Sequence, residues 1–328
     1  MAEITLSAGG GGKAMARLIN GVFLKYFKNS ELREMRDAAY ILTPEKTAFS
    51  TDSFIIKPEF FPGGNIGKLS VAGTTNDLAC SGAVPLYLSC GMVIPEGYDT
   101  EKLEKIVSSM AEAAGEAEAE IVTGDTKVAP RGDLQGLIIN VSGIGRTEAE
   151  WNNYSAVKAG DCVIISSDIA RHGVSVLLAR EELGFSGGIE SDCNVLCKML
   201  QTLYGLRVHF VRDATRGGVA AVLNEISERS GLGITVREND IPLRDDVAHF
   251  CDALGFDPLA VANEGAVIII TEKDDAEAAL ERVRKHPAGR NAAICGYVRQ
   301  DAGVIMETSV GGRRYIEMPL GEILPRIC

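Results

Sequence analysis

Hydrophobic positions in the first half of the chain alternate between helical and strand spacing. Apolar residues recur every three or four positions in three segments, Met15 to Phe23, Leu69 to Ala79 and Leu103 to Ala114, which predicts three helices. Asp99 stands before the third segment as its expected N-cap. Apolar, β-branched runs between the helices predict strands at 47–56, 84–94, 121–122 and 137–141, and the last of them should end in a turn at Gly143-Ile-Gly145.

The pattern restarts after residue 160. It predicts strands at 162–166, 208–211 and 267–271, helices at 174–182, 193–204, 219–229 and 276–285, and a hairpin at Gly311-Gly312. Pro319 and Pro325 disfavour regular structure near residue 328, so we expect an extended tail. The predicted organisation is a Gly-rich lead with a first helix (1–40), two α/β domains (41–150 and 151–317) and a tail (318–328).

Composition limits the classes of function. Of the 328 residues, 46% are hydrophobic and 24% are charged, which is typical of a folded globular protein. A formal net charge of −12 provides no basic footprint for nucleic acid or anionic lipid, so an anionic ligand needs a local site. The absence of a charged leader with an apolar core predicts a cytoplasmic protein. Seven of the eight cysteines lie in apolar segments as expected core residues.

Three aspartates interrupt apolar elements beside small residues. They are Asp52 in Ser-Thr-Asp-Ser, Asp77 in Asn-Asp-Leu-Ala and Asp125 in Thr-Gly-Asp-Thr. A buried carboxylate needs a partner, and Mg²⁺ is a hard cation that binds a few carboxylates together with substrate phosphates. The alternative is that all three are caps or turn residues. Spacing does not separate the two interpretations.

Three further parts of the sequence are candidates for phosphate binding or for proton transfer. Lys127 should point to the same side as Asp125 in an extended segment, where it is either a phosphate ligand or a solvated lysine. The segment Asp213-Ala-Thr-Arg-Gly-Gly218 joins a strand to a helix, so it is either an anion site or an ordinary turn. Glu264 precedes an apolar strand and is a candidate general base.

Several cysteines, histidines and glycines are weaker candidates for a functional site. Gly9 to Gly12 and Lys13 lack the preceding strand and following Ser or Thr of a P-loop. Cys193 and Cys197 fit one face of a core helix better than a metal site, and the four histidines form no cluster. Cys328 differs from the other cysteines, because the ten residues from Pro319 to Cys328, if extended, could carry its thiol roughly 30 Å. The residues alone leave a swinging arm and an accident of composition both open.

Taken together, the motifs resemble the HypE family of the PurM-like superfamily. They are Asp52-Ser-Phe, Phe60-Phe-Pro-Gly-Gly-Asn-Ile-Gly-Lys68, Asn76-Asp-Leu-Ala79, Val122-Thr-Gly-Asp-Thr-Lys127, Arg212-Asp-Ala-Thr-Arg-Gly-Gly218, Val261-Ala-Asn-Glu-Gly265 and Leu324-Pro-Arg-Ile-Cys328. The resemblance runs nearly end to end, and the last motif is the most specific. Two departures are Ala214, where proline is usual, and Ala170-Arg171, where an acidic residue usually precedes His172-Gly173.

The resemblance implies a mixed α/β (α+β) fold of two PurM-like domains. The N-terminal domain would pair across a homodimer to form a β-barrel, and the C-terminal domain would be an α/β sandwich with an extended tail. It also implies an enzyme of hydrogenase maturation that uses Mg²⁺ and ATP to dehydrate a carbamoyl group on Cys328 to a thiocyanate. HypF would supply the carbamoyl group, and the HypC–HypD complex would accept the cyanide.

The resemblance also assigns residues by motif. Asp52, Asp77 and Asp125 would hold magnesium and ATP, while Lys127 and Glu264 would lie beside the modified cysteine. The nucleotide would further contact a second set of residues, Asp213, Arg216, Gly217 and Gly218. Two alternatives remain, another PurM-like ATP-dependent enzyme such as a selenophosphate synthetase, or a thiol carrier without catalysis. A synthetase of that kind keeps its reactive residue near the N-terminus, whereas the first cysteine here is Cys80.

Overall fold

The computed structural model describes residues 3–9, 12–33, 38–39, 41–44, 46–180 and 187–319, so Cys328 and the predicted tail beyond Pro319 lie outside the described residues. The strands are β1 Thr47–Phe54, β2 Phe60–Phe61, β3 Gly64–Asn65, β4 Ala83–Pro95, β5 Glu120–Ala129, β6 Ile138–Thr147, β7 Cys162–Ile165, β8 Val208–Asp213, β9 Gly233–Arg237, β10 Val267–Thr271, β11 Ala293–Arg299, β12 Gly303–Glu307 and β13 Arg313–Tyr315. The helices are α1 Leu6–Gly9, α2 Gly12–Leu18, α3 Leu24–Tyr26, α4 Ser30–Arg33, α5 Ile66–Cys80, α6 Thr100–Glu116, α7 Arg171–Ala179, α8 Cys197–Gln201, α9 Gly218–Ser230, α10 Asp245–Leu254 and α11 Ala276–Arg284.

The first sheet has the strand order β1-β6-β4-β5 and is antiparallel except for the parallel pair β4 and β5. Helix α5 packs on one face and is buried along most of its length. On the opposite face, the β1 residue Phe49 is 69% exposed. The sheet is open, so the predicted barrel across two chains stays a prediction.

Gly143 and Gly145 lie inside β6, so the predicted turn at these residues is wrong. A Cβ atom on Gly143 would lie 2.9 Å from side-chain atoms of Leu78 and Leu88. The glycine therefore leaves space for α5 to pack close to the sheet. Asp99 is the N-cap of α6 as predicted, because its carboxylate accepts hydrogen bonds from the amides of Glu101 and Lys102.

The second sheet has seven strands in the order β13-β12-β9-β11-β7-β10-β8, antiparallel except for β12 and β9. The predicted hairpin at Gly311-Gly312 joins β12 and β13 and is confirmed. Three elements without a prediction complete this half, β9, α10 and β11. Among the described residues, no helix combines the length and apolarity required to cross a bilayer.

The predicted helix 193–204 is wrong over its first turn, since α8 begins at Cys197. The residues before α8 instead run along α5 and make hydrogen bonds to it. Asn76 donates to the carbonyl of Asn194 (2.9 Å) and accepts from the amide of Leu196 (2.8 Å). These buried bonds join the two halves of the molecule and compete with helix formation.

Candidate functional site

A cavity of about 580 Å³ lies between the two sheets and gathers most of the predicted site residues. They come from separate parts of the fold. Asp52 is on β1, Asp77 is in the last turn of α5, and Asp213 ends β8. Arg216 belongs to the loop before α9, and Glu264 to the loop before β10. Long-range folding therefore brings together side chains up to 212 positions apart.

Asp52 and Asp77 form the centre of the cluster. Their carboxyl groups are close enough for the charge of Asp77 to act on Asp52, and the Ser50 hydroxyl donates to Asp77 Oδ2 at 2.8 Å. Burial and then the charge of Asp77 raise the pKa of Asp52, Arg216 opposes both effects, and the result is a pKa of about 6. A cation bound beside these two carboxyl groups would relieve the repulsion between their ionised forms.

Asp213 and Glu264 extend the cluster into the second half of the chain. Burial, followed by the charge of Asp77, raises the pKa of Asp213 to about 7. Burial raises the pKa of Glu264 well above its ordinary value, and the charge of Asp213 adds to this effect. Glu264 is only 5% exposed. The cavity therefore concentrates acidic groups whose ionised forms repel one another.

The donor set fits a magnesium ion. Carboxylate oxygens are its preferred protein ligands, and their repulsion is relieved when a cation binds. Within the described ranges, no three His, Cys, Asp or Glu side chains converge as a complete metal site. The fit is thus to a cation that takes its other ligands from water and substrate phosphate, as Mg²⁺ does.

The loop before α9 requires its two glycines. Gly217 is the N-cap with a φ of 76°, and Gly218 has a φ of 61°. A Cβ atom on Gly218 would lie 2.4 Å from the carbonyl oxygen of Leu259. The glycines thereby let the amino end of α9 follow directly after Arg216 on the cavity wall, where backbone amides favour an anion. This agrees with the anion-site interpretation, and the contacts of Gly217 and Gly218 with a nucleotide remain predictions.

Asp125 and Lys127 do not join this cluster in a single chain. They lie on β5, are 70% and 67% exposed, and are 3.9 Å apart. Strand registers place Asp125 in one row with Gly91, Asn140 and Ser53. Ser53 is next to Asp52 in the strand, so its side chain points to the opposite face of the sheet. One chain therefore cannot assemble the predicted triad of aspartates.

Sequence reasoning missed Asp192, which is 1% exposed. Its carboxylate accepts hydrogen bonds from the backbone amides of Glu264 and Gly265. Burial raises the pKa of Asp192 to about 6. This residue positions the Glu264 loop, and no local pattern announces it because its partners are about 70 residues away.

The weaker candidates have structural surroundings. Cys193 and Cys197 are buried, and the Cys197 thiol faces the carbonyl of Thr75 at 3.5 Å, as expected for core residues. Cys162 is the one described cysteine that is only partly buried. His172 contacts Ser191, and His209 contacts Asp161. The glycine run falls partly on undescribed residues, namely Gly10 and Gly11.

Comparison with known proteins agrees with the two halves of the fold. Residues 35–147 match the AIR synthase related protein, N-terminal domain, and residues 158–308 match the AIR synthase related protein, C-terminal domain. The chain is 44% identical to the carbamoyl dehydratase HypE of Escherichia coli K12, with all of both chains covered. It is likewise 44% identical to the carbamoyl dehydratase HypE of Rhizobium leguminosarum, with 99% of this chain and 95% of that protein covered.

Solved structures extend the comparison. A hydrogenase maturation protein HypE in complex with ATP has a TM-score of 0.95 and 42% identity, with 99% of both chains covered. A chain of a HypE–HypF complex has a TM-score of 0.81 and 44% identity, with 92% of this chain and 99% of that chain covered. Similarity of this degree over the whole length assigns the family. The chain belongs to the HypE family of hydrogenase maturation proteins.

Proposed function

We propose that this protein is an ATP-dependent carbamoyl dehydratase that converts an S-carboxamide on its own Cys328 into a thiocyanate. The observation that carries the proposal is the cavity in which Asp52, Asp77, Asp213 and Glu264 meet. Relatives that are 44% identical over the full chain are named carbamoyl dehydratase, and a solved relative is bound to ATP.

ATP is the second substrate, and its phosphates belong at the carboxylate cluster. Asp52 and Asp77, with Asp213 beside them, would hold Mg²⁺, which supplies charge neutralisation for the phosphates. Arg216 and the amino end of α9, which begins at Gly217 and Gly218, would contact phosphate oxygens. Positioning and neutralisation of this kind account for most of the catalysis of phosphoryl transfer.

Asp125 and Lys127 would complete the site from a second copy of the chain. Both side chains are largely exposed in one chain, and so is Phe49 on the same face of the first sheet. A homodimer that pairs these faces would bury this surface and could bring Asp125 and Lys127 of one chain to the cavity of the other. The proposal therefore keeps all three aspartates in the metal site, but divides them between two chains.

Direct loss of the carboxamide oxygen is difficult, so the proposed reaction takes two easier steps, phosphoryl transfer to that oxygen and then cleavage of the C–O bond. The carboxamide oxygen takes the terminal phosphoryl group of ATP, and the bond from that phosphorus to the ADP oxygen breaks. The C–O bond then breaks with release of phosphate while the nitrogen loses both protons, which leaves S–C≡N, ADP and phosphate. Glu264, whose raised pKa makes its ionised form a stronger base than an ordinary carboxylate, would take a nitrogen proton. Lys127 would stabilise the negative charge on the phosphorylated oxygen.

The position of Pro319 supports Cys328 as the carrier. A Cβ atom on Gly217 would lie 3.9 Å from Cγ of Pro319, so the described chain ends at the loop that holds Arg216. Nine more residues at roughly 3.3 Å each allow a reach of roughly 30 Å. This length is sufficient for the thiol of Cys328 to enter the cavity and also to reach another protein.

The proposed partners follow from the group that Cys328 carries. One solved relative forms a complex with HypF, and we propose that a HypF protein delivers the carbamoyl group to this chain. The product would be cyanide bound to sulfur, which a HypC–HypD complex would accept for hydrogenase iron. A protein that only carried the thiol, without catalysis, would need neither the phosphoryl transfer from ATP nor the loss of phosphate.

The test compares variants inside and outside the cavity. Asp52→Asn and Asp77→Asn should each abolish Mg²⁺-dependent ATP turnover on the carbamoylated protein, because each removes a cation-binding charge and keeps the volume. Asp133→Asn, at an exposed position, is the matched control and should retain wild-type turnover. Wild-type turnover in both cavity variants would show that the aspartates are structural and would contradict the proposed site.

A further inference from the structure

A second cavity, of about 680 Å³, lies among four loops and helix ends of the second half and the end of α6, which contributes Glu116, and it shares no lining residue with the first. Its wall includes Ser167 and Asp168 after β7, and Asn291 before β11. Four cationic side chains surround these residues, Arg171 of α7, Lys198 of α8, Arg244 at the start of α10 and Arg290. We name it the basic pocket. Four cations against two lining carboxylates, Glu116 and Asp168, give the wall a positive balance in a chain whose net charge is −12.

Arg171 and Arg290 form no ion pair within 4 Å among the described residues, although the charge of Arg171 opposes the rise in the pKa of the buried Asp192. Arg171 donates to the backbone carbonyl of Glu190 at 3.2 Å, and Arg290 has no side-chain bond among these residues. Lys198 and Arg244 form half-exposed pairs with Glu118 and Asp246. Exposed pairs of this kind are weak, so both cations can turn to a ligand at little cost.

The remaining wall residues define the ligand more closely. Guanidinium groups bind phosphate through two parallel hydrogen bonds, which makes phosphate the preferred anion for Arg171 and Arg290. Asp168 is 8% exposed and accepts a hydrogen bond from Asn291 at 2.8 Å, and its other oxygen can accept from a ligand hydroxyl. The volume is that of a small-molecule site and not of a flat protein interface.

We propose that the basic pocket binds a phosphorylated, hydroxyl-bearing small molecule of the sugar phosphate class. Its phosphate contacts Arg171 and Arg290, and one of its hydroxyls donates to Asp168. The site is separate from the dehydratase cavity, so the proposal holds or fails independently of the proposed function.

The experiment is a calorimetric titration of the full-length protein with ribose 5-phosphate, with ribose as the uncharged probe. The wild type should bind the phosphate saturably and ribose undetectably. The double variant Arg171→Gln/Arg290→Gln should lose affinity by about tenfold or more, because each arginine makes charge-assisted bonds. Arg131→Gln, an exposed arginine of the first half, and Asp77→Asn in the other cavity should bind as the wild type does.

Lys198→Gln provides a second variant on an exposed lysine of the same wall, and it should weaken binding in the same direction. Three results would overturn the proposal: no saturable binding of ribose 5-phosphate, unchanged affinity in the folded double variant, or equal loss in Asp77→Asn. Tighter binding of a hexaglutamate peptide than of ribose 5-phosphate, with the same dependence on Arg171, would also overturn it and identify a docking site for an acidic protein segment.

Discussion

Asp192 holds the backbone of Glu264, since its carboxylate accepts hydrogen bonds from the amides of Glu264 at 3.2 Å and of Gly265 at 2.9 Å. A Cβ atom on Gly265 would lie 1.9 Å from the carbonyl oxygen of Asp192, so the two segments meet without space for a side chain. One buried carboxylate thus fixes the position of another, and the proposed catalytic base depends on a residue outside the recognised motifs.

Replacing Asp192 should therefore affect stability and chemistry together. Asp192→Ala leaves buried amides without an acceptor, which should lower the free energy of unfolding by about 1–3 kcal/mol. It should also slow dehydration while nucleotide binding persists, because the loop that carries Glu264 loses its support. Urea denaturation and nucleotide titration measure the two effects. Asp192→Asn, which keeps one acceptor oxygen, should lose less stability, and equal losses in both variants would contradict this role.

The raised pKa values of Asp52 and Asp213, about 6 and about 7, predict how stability depends on pH in the absence of a cation. Between the ordinary aspartate pKa and these values, the unfolded chain has released protons that the folded chain still holds. The free energy of unfolding contributed by Asp213 therefore falls as pH rises from about 4 to about 7, by up to about 1.4 kcal/mol per pH unit. The contribution of Asp52 falls only up to about pH 6, and by less, because solvent screens this partly exposed group.

Two comparisons isolate this effect from the titration of other groups. Asp213→Asn should show a shallower fall in melting temperature over the same pH range than the wild type. Mg²⁺ should raise the melting temperature more at pH 8 than at pH 5, because binding requires ionised carboxylates. A wild-type pH profile in Asp213→Asn would show that this carboxyl is not the titrating group.

Division of the site between two chains predicts complementation. Asp77→Asn and Asp125→Asn homodimers should both be inactive. A mixed dimer purified through two different tags contains one site with both substitutions and one intact site, so it should recover about half of the wild-type turnover. An inactive mixed dimer would place both aspartates in the same chain's site, and a monomeric protein in sedimentation would exclude the shared site altogether.

Adding one methyl group at either of two glycines of the first half should change the free energy of unfolding in opposite directions. Gly143→Ala should lower the free energy of unfolding by about 1–3 kcal/mol, because its Cβ would lie 2.9 Å from side chains of Leu78 and Leu88. Gly115→Ala in α6 has no atom within 4 Å of the added Cβ and should raise stability by up to about 1 kcal/mol. Thermal denaturation of the two variants provides the comparison, and equal shifts would contradict the packing argument.

Local sequence patterns were sufficient to predict features that a single helix, strand or turn determines. The N-cap Asp99, the strand 267–271 and the hairpin at Gly311-Gly312 each follow from neighbouring residues, and all three are confirmed. Gly143 was mistaken for a turn residue, because the glycine is required by a helix packed across the sheet and not by its own strand.

In the candidate site too, local motifs identified some residues, and distant contacts determine the rest. Motifs identified Asp52, Asp77, Asp213 and Glu264, and the fold brings them to one cavity. The face on which Asp125 lies depends on strand register across four strands, which no sequence pattern revealed. Asp192 was missed since its function lies entirely in a contact with a loop that is distant in sequence.

The most direct test of the account is the mass of the peptide that contains Cys328, after a HypF protein has carbamoylated the chain. On addition of ATP and Mg²⁺ together, that peptide should lose the mass of one water, with one ADP formed per peptide. Omitting ATP or Mg²⁺ should leave the carbamoyl group intact. Glu264→Gln should slow the loss while binding ATP normally, whereas Glu112→Gln, exposed on α6, should behave as the wild type does. Water loss at an unchanged rate without ATP, or a carbamoyl group on a cysteine other than Cys328, would contradict the account.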